Sequence, residues 1–357
     1  MTELSSHLTV NGRRIGPGAP VYVVAEMSAN HGGDFERAAA IVRAAKDAGA
    51  DAVKLQTYTP DTITLDCDAE PFRIKGTIWE GRRLHELYAE AMTPWDWQPR
   101  LKALADGLGL DLFSSPFDAT AVDFLEGMDV PAYKIASFEL VDIPLIRKVA
   151  ATGRPVVLST GMAELAEIKE AVAAFRSAGG RELALLKCTS AYPAPPEEAN
   201  LRTIPDLAAR FGCPAGLSDH TLGSACAVAA VALGACLVEK HFTLSRAHGG
   251  PDAAFSLEPD EFRAMVADIR TAEAALGRVC YEPTPKQLAG RALRRSLFVV
   301  ADVRRGEPFT KANVRSIRPA DGLPPRCLDE VLGRRAARDV RRGEPLDRTM
   351  LDMLEDA

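Results

Sequence analysis

Two histidines, His220 and His241, each end a short apolar run, AGLSDH and CLVEKHF. In extended chain, residues two apart share a face, which groups His220 with Ser218 and His241 with Glu239. An inward register on adjacent strands would set two neutral imidazoles side by side near a carboxylate, a donor set that suits a divalent transition metal. A lone histidine is more often a satisfied core or surface residue; two on neighbouring strand ends shift the reading to a metal. His31, just past the first run, is the other histidine expected to reach the site.

The same period groups Lys54 with Gln56 in AVKLQTY and Lys187 with Thr189 in LALLKCTS. With Lys134 of AYKIAS, three lysines on three runs would converge, and the hydroxyls of Ser137, Thr189, Ser190 and Ser218 would complete an oxyanion or phosphate cradle. The ordinary alternative pairs these lysines with Glu26, Glu139 and Glu239, and both arrangements can coexist. The loop HGGPD, residues 248–252, adds two glycines where barrels often bind phosphate, although a plain turn explains them equally well.

Such convergence needs a scaffold. Eight β-rich runs lie between Val21 and Phe242: VYVVAEM, AVKLQTY, DLFSSPF, AYKIAS, PVVLSTG, LALLKCTS, AGLSDH and CLVEKHF. Helix-like or turn-bearing segments follow them, the clearest being FERAAAIVRAAKDAG, ATAVDFLEG, DIPLIRKVAATG, AELAEIKEAVAAFRSAGG and GSACAVAAVALG. Eight βα units predict a TIM barrel. A doubly wound sheet also alternates strands and helices, but no G-x-G-x-x-G follows the first run. Every run also places polar groups at its C-terminal end, where barrel active sites are built.

A chain of 357 residues accommodates this barrel and a small second domain. Residues 1–290 carry 28 Lys and Arg against 38 Asp and Glu, whereas residues 291–357 carry 15 against 11. The basic tail alternates Arg with Asp and Glu and lacks interleaved aromatics, which reads as a salt-bridged surface rather than a nucleic-acid site. Seven scattered cysteines without C-x-x-C spacing argue against a disulfide framework or structural zinc. The N-terminus has no signal-peptide core, and the longest apolar stretch, Ala225 to Val238, is too short to span a bilayer, so a cytoplasmic, non-membrane protein is expected. The polar segment PTPKQLAGRALRR precedes a tail in which DVRRGEP occurs at 302–308 and again at 339–345. Two copies are too few for a solenoid and suggest a compact pseudo-symmetric unit. The expected domains are 1–283, a linker at 284–294, and 295–357.

The segments AEMSANHGG, DAVKLQTYTPDT, YKIASFE, LSTGMA, LKCTSAYPAP, GLSDHTLG, VEKHFTL and GGPDAAFSLEP resemble, in order and spacing, the sialic acid synthase family. FRIKGTIWEG, the TPWDW run and the pairing of SANH with YTPDT are similar to its pseudaminic acid branch. The tail resembles the antifreeze-like (SAF) domain that ends these enzymes. The resemblance implies that the enol carbon of phosphoenolpyruvate attacks the open-chain aldehyde of an N-acetylated sugar. Water then attacks the oxocarbenium, and phosphate leaves with C–O cleavage.

By the same resemblance, His220 and His241 hold a divalent metal, Mn2+ first, with Mg2+ or Co2+ as alternatives, and it polarises the aldehyde oxygen. Glu26, Lys54 and Glu239 are the implied catalytic residues. Lys54, Lys134, Ser137, Ser159, Lys187, Thr189, Ser190 and Ser218 match the phosphoenolpyruvate positions. Gln56, Glu139, Tyr192 and Asp252 match those for the sugar. Arg318 would be offered to the sugar's N-acetyl group across a domain-swapped homodimer. The branch implies 2,4-diacetamido-2,4,6-trideoxy-L-altrose as acceptor, with Phe72, Trp79, Tyr88 and Trp95 as candidate apolar walls or simply as packing for the insertion that carries them. A manno-configured acceptor, giving N-acetylneuraminate or legionaminate, is the neighbouring alternative. Two other classes are a Schiff-base aldolase using Lys134 or Lys187 and a non-catalytic sugar- or ice-binding protein.

Overall fold

The protein is described here by a computed structural model covering residues 3–76 and 79–352. The chain divides into two compact units between Gly277 and Arg278.

The first unit opens with a hairpin, β1 (Leu8–Val10) and β2 (Arg13–Ile15). Asn11 and Gly12 turn it, both with positive φ (45° and 76°), the conformation that a two-residue hairpin loop requires. Eight parallel strands then close into a barrel: β3 (Tyr22–Glu26), β4 (Ala52–Thr57), β5 (Asp111–Pro116), β6 (Tyr133–Ile135), β7 (Val156–Ser159), β8 (Leu183–Cys188), β9 (Ala215–Asp219) and β10 (Leu237–His241). They pair in sequence order, and β10 closes the ring on β3. Each lies within one of the eight runs, so the TIM barrel is observed. The helices follow the expected segments, at Phe35–Asp47, Ala119–Gly127, Ile143–Ala151, Leu165–Ser177 and Ala225–Ala232. Their starts are fixed locally: the Asp34 carboxylate accepts from the backbone N–H of Glu36 and Arg37, and Asp118 caps the Ala119 helix in the same way.

The barrel strands are buried on both faces, which explains their almost continuous apolar character. Inside, Leu8, Val10 and Ile15 of the hairpin pack with Tyr22, Val24, Ala52, Phe113, Val157, Ala184, Leu186 and Leu237, filling the N-terminal half of the barrel. Outside, Tyr133, Leu158, Leu185 and Leu217 pack against the helices. Side chains that continue the inner rows towards the C-terminal ends form the mouth.

In the second unit, β11 (Ser296–Val299) pairs antiparallel with β12 (Val314–Ile317). The two DVRRGEP copies cross reciprocally: Val303 and Val340 exchange both backbone hydrogen bonds, Asp339 accepts from the Arg305 N–H, and Asp302 accepts from the Arg342 N–H. The internal repeat is thus a local two-fold, built around Leu297, Val299, Phe309 and Leu346.

Candidate active site at the barrel mouth

Four inner rows end in ionisable groups. Lys54 Nζ sits 2.7 Å from Glu26 Oε2, 3.4 Å from Glu239 Oε1 and 3.4 Å from Ser115 Oγ. Lys134 Nζ is 3.9 Å from the other oxygen of Glu239, and Ser218 Oγ donates to Glu239 Oε1 at 3.4 Å. Glu26, Lys54, Lys134 and Glu239 are all buried. Burial works to lower the Lys54 ammonium, yet Glu239 and Glu26 hold it above its ordinary value. Lys134, with weaker compensation, is lowered by burial. Burial lifts Glu26 to about 7 against the pull of Lys54, while Glu239, facing both lysines, is drawn below its ordinary range despite its burial. The two carboxyls therefore differ in proton affinity, the condition for dividing acid and base work between them.

His220 and His241 lie with ring centroids 5.2 Å apart. Burial, and after it His220 and the lysines, keep His241 neutral by pushing it well below its ordinary value. Its Nδ1 is buried without a hydrogen-bond partner. His220 Nδ1 lies 3.0 Å from the Thr189 carbonyl, which selects the tautomer that leaves Nε2 free. The pair therefore fits a metal with two imidazole ligands. Among the described residues no group of three or more His, Cys, Asp or Glu side chains is arranged to hold one, so most of its coordination positions would be left for substrate or water.

Around this core stand the remaining predicted residues. Ser137 and Ser190 face each other across Gly161, where an added Cβ would collide with both hydroxyls. This is an oxygen-lined cradle that only glycine leaves open, with Ser159 buried and unpaired at the end of β7. Gln56 Nε2 donates to Glu26 Oε1 and to Ser28 Oγ, both at 2.9 Å. Asp252 accepts from Ser28 Oγ at 2.5 Å. Glu139 carries a buried, unpartnered oxygen, and burial raises its carboxyl to about 7. Tyr192 stacks on His220, centroids 4.5 Å apart.

Other predicted positions do not join them. Lys187 shares the outer face of β8 with Leu183 and Leu185, and its Nζ donates to the Cys188 carbonyl, so it does not converge with Lys54 and Lys134. Cys188 takes the inward place, its Sγ 3.8 Å from His220 Nδ1; burial would raise this thiol, but His220 brings it down to about 7. Thr189 turns its hydroxyl to the Glu198 carbonyl and meets the site through its own backbone oxygen. His31 is a core residue, its ring edge-on to Trp97 and its Nε2 3.3 Å from Thr93 Oγ1. Of the insertion aromatics, Trp79 reaches Tyr192 and Tyr88 packs on Tyr58, whereas Trp95 packs on Phe124 outside the mouth. Arg318 is exposed in the second unit and makes no ion pair among the described residues.

Four contributors escaped the sequence reading: Ser28, Gly161, Cys188 and Phe255. Phe255 covers the imidazoles, 5.0 Å from His241 and 6.5 Å from His220. Cys188 was hidden because LALLKC is apolar on both faces through Leu186, which leaves the facing of its last two residues unmarked. Nothing in residue type marked the other three.

A closed barrel bearing buried acid, base and imidazole pairs at its C-terminal face defines an enzyme-type site. Residues 41–281 match the NeuB family and residues 294–352 the SAF domain, and the chain belongs to the NeuB family. It is 44% identical to the pseudaminic acid synthase of Helicobacter pylori over 92% of this chain and 96% of that one. It is 34% identical to the N,N'-diacetyllegionaminic acid synthase of Legionella pneumophila over 96% and 98%. The crystal structure of the N-acetylneuraminic acid synthetase of Leptospira borgpetersenii, in complex with citrate, superposes with a TM-score of 0.72 at 30% identity, covering 81% of this chain and 96% of that one. No helix among the described residues is long and apolar enough to cross a membrane.

Proposed function

We propose that this chain is a nonulosonate synthase that condenses phosphoenolpyruvate with 2,4-diacetamido-2,4,6-trideoxy-L-altrose and water, giving pseudaminate and phosphate. One observation carries it. Among the described residues, buried side-chain atoms of Asn30, Glu139, Ser159 and His241 lack a hydrogen-bond partner, and all four residues lie at or just beyond the C-terminal ends of barrel strands, beside Glu26 and Glu239, whose outer oxygens meet only the lysine ammonium groups. Unmet buried polar atoms are destabilising, and their collection at one mouth is the mark of a site completed by polar ligands. The 44% identity to pseudaminic acid synthases over nearly the full length favours the trideoxy acceptor over a manno-configured one.

Lys54 and Lys134, with Ser137, Ser159, Ser190 and Ser218, bind the phosphate and carboxylate of phosphoenolpyruvate. Gln56, Glu139, Tyr192 and Asp252 orient the sugar. Glu26, near neutrality, takes and returns a proton on the attacking water or the sugar oxygen, while Glu239 stays ionised and fixes both lysines. His220 and His241 would hold a divalent ion, Mn2+ or a similar metal, which when bound would supply Lewis-acid polarisation of the aldehyde. Arg318 completes the sugar site from a second copy in a domain-swapped dimer, and the enzyme works in the cytoplasm. The test is phosphate release from phosphoenolpyruvate with a panel of amino-sugars: turnover with the diacetamido altrose sugar supports the reading, and equal turnover of N-acetylmannosamine sinks the acceptor assignment.

A further inference from the structure

Four non-glycine residues among those described have positive φ: Asn11, Ser28, Asp129 and Asn200. Three are Asn or Asp, the types that tolerate the left-handed region, and all three are exposed outside helices and strands. Ser28 is the exception on both counts. It is buried, at φ 44°, on the first residue beyond the end of β3 but one. A serine in this conformation is strained relative to glycine, and strain of this kind persists where the surrounding structure holds it.

What holds it is a hydroxyl with two partners from distant parts of the chain. Ser28 Oγ donates to Asp252 Oδ2 at 2.5 Å and accepts from Gln56 Nε2 at 2.9 Å. Among the described residues the Asp252 carboxylate takes hydrogen bonds from Ser28 Oγ and, at 3.3 Å, from the Ala29 N–H, and from no other donor. Gln56 uses the same nitrogen to reach Glu26. Ser28 is therefore the joint between the Glu26–Gln56 pair and the loop after β10. The lysine and serine groups assigned to phosphoenolpyruvate have no hydrogen bond to it.

We propose that Ser28 is a positioning residue for the acceptor: its hydroxyl aims the Asp252 carboxylate and the Gln56 carboxamide at the sugar, and the strained backbone is kept because only that conformation delivers the hydroxyl between them. This rests on the synthase reading above.

The test uses two variants of the full chain, Ser28→Gly and Ser28→Ala. Both remove the hydroxyl; glycine also relieves the left-handed backbone, whereas alanine keeps the strain. The expected result is an acceptor KM raised about tenfold in both, as for loss of a hydrogen bond to a charged group, with phosphoenolpyruvate KM within about twofold of wild type. Tm should diverge, glycine at or above wild type and alanine below it. An unchanged acceptor KM in the glycine variant, or an acceptor KM that follows Tm from one variant to the other, overturns the proposal, because a merely structural serine behaves that way. Absence of phosphate release by the wild type with every amino-sugar removes the synthase reading itself, and the Ser28 assignment with it.

Discussion

Lys240 and Asp219 form a fully buried ion pair, Nζ to Oδ2 2.7 Å, on the outer face of the barrel wall directly behind His241 and His220. They are register partners on β10 and β9. Asp219 Oδ1 also accepts from the N–H and the hydroxyl of Thr221, and Lys240 donates to the Thr221 carbonyl, so the pair holds both backbone groups of the residue that follows His220. Removing one member of a buried pair leaves the other charge without compensation, which costs about 3–5 kcal/mol. Lys240→Met should lower unfolding free energy by that order in a denaturant titration. Adding Asp219→Asn should recover part of it, since the amide keeps an acceptor for Thr221. A single-variant loss below about 1 kcal/mol would show that the pair is not what ties these strand ends together.

Gly161 makes a prediction about space. The Ser137 and Ser190 hydroxyls occupy the volume that a methyl group would need. Gly161→Ala should raise the KM for phosphoenolpyruvate at least about tenfold, the scale of one lost charge-assisted contact. The acceptor KM should stay nearly constant. Steady-state kinetics with each substrate varied in turn distinguish this from a general loss of fold, which would depress kcat alone.

The Glu139 carboxyl, raised by burial from 4.5 to about 7, couples folding to pH. The folded state holds its proton up to about 7, the unfolded chain releases it near the ordinary value, and wild-type stability from this group is therefore lost as pH rises between the two. Glu139→Gln has no such loss. The difference in stability, variant minus wild type, should grow from about pH 4.5 to 7 and then level off, reaching on the order of 3 kcal/mol. Thermal unfolding of both proteins across that range reads it directly, and a difference that is flat or falls with pH would contradict the assignment.

Metal removal tests the imidazole pair. Chelation should lower phosphate release at least tenfold, and added Mn2+ should restore it. His241→Asn should bind Mn2+ more weakly in a direct titration while keeping the wild-type unfolding transition. Full activity after chelation would rule out the metal role.

How much of this was legible beforehand differs from strand to strand. The period of two grouped Lys54 with Gln56, Ser218 with His220 and Glu239 with His241, and the structure sets these on inner rows; Asp219 and Lys240 put a charge on the other parity of β9 and β10, so grouping was legible there and facing was not. On β8 the apolar residues Leu183, Ala184, Leu185 and Leu186 fill both faces. Parity is unreadable there, and Cys188 holds the inward place expected of Lys187. Ser28 and Gly161 matter through backbone conformation and a close approach between loops, neither of which residue type reports. The Asn11-Gly12 pair is a hairpin signal in residue type, although the eight expected runs begin only at Val21 and leave the β1–β2 ribbon out.

That hairpin has a consequence for traffic. Leu8, Val10 and Ile15 are buried beneath the inner rows, so the barrel has a floor and a single doorway. A molecule seated against Lys54 and Lys134 lies deeper than one held by Tyr192 and Asp252. Any molecule that reaches Lys54 and Lys134 therefore passes Tyr192 and Asp252 on its way in and again on its way out.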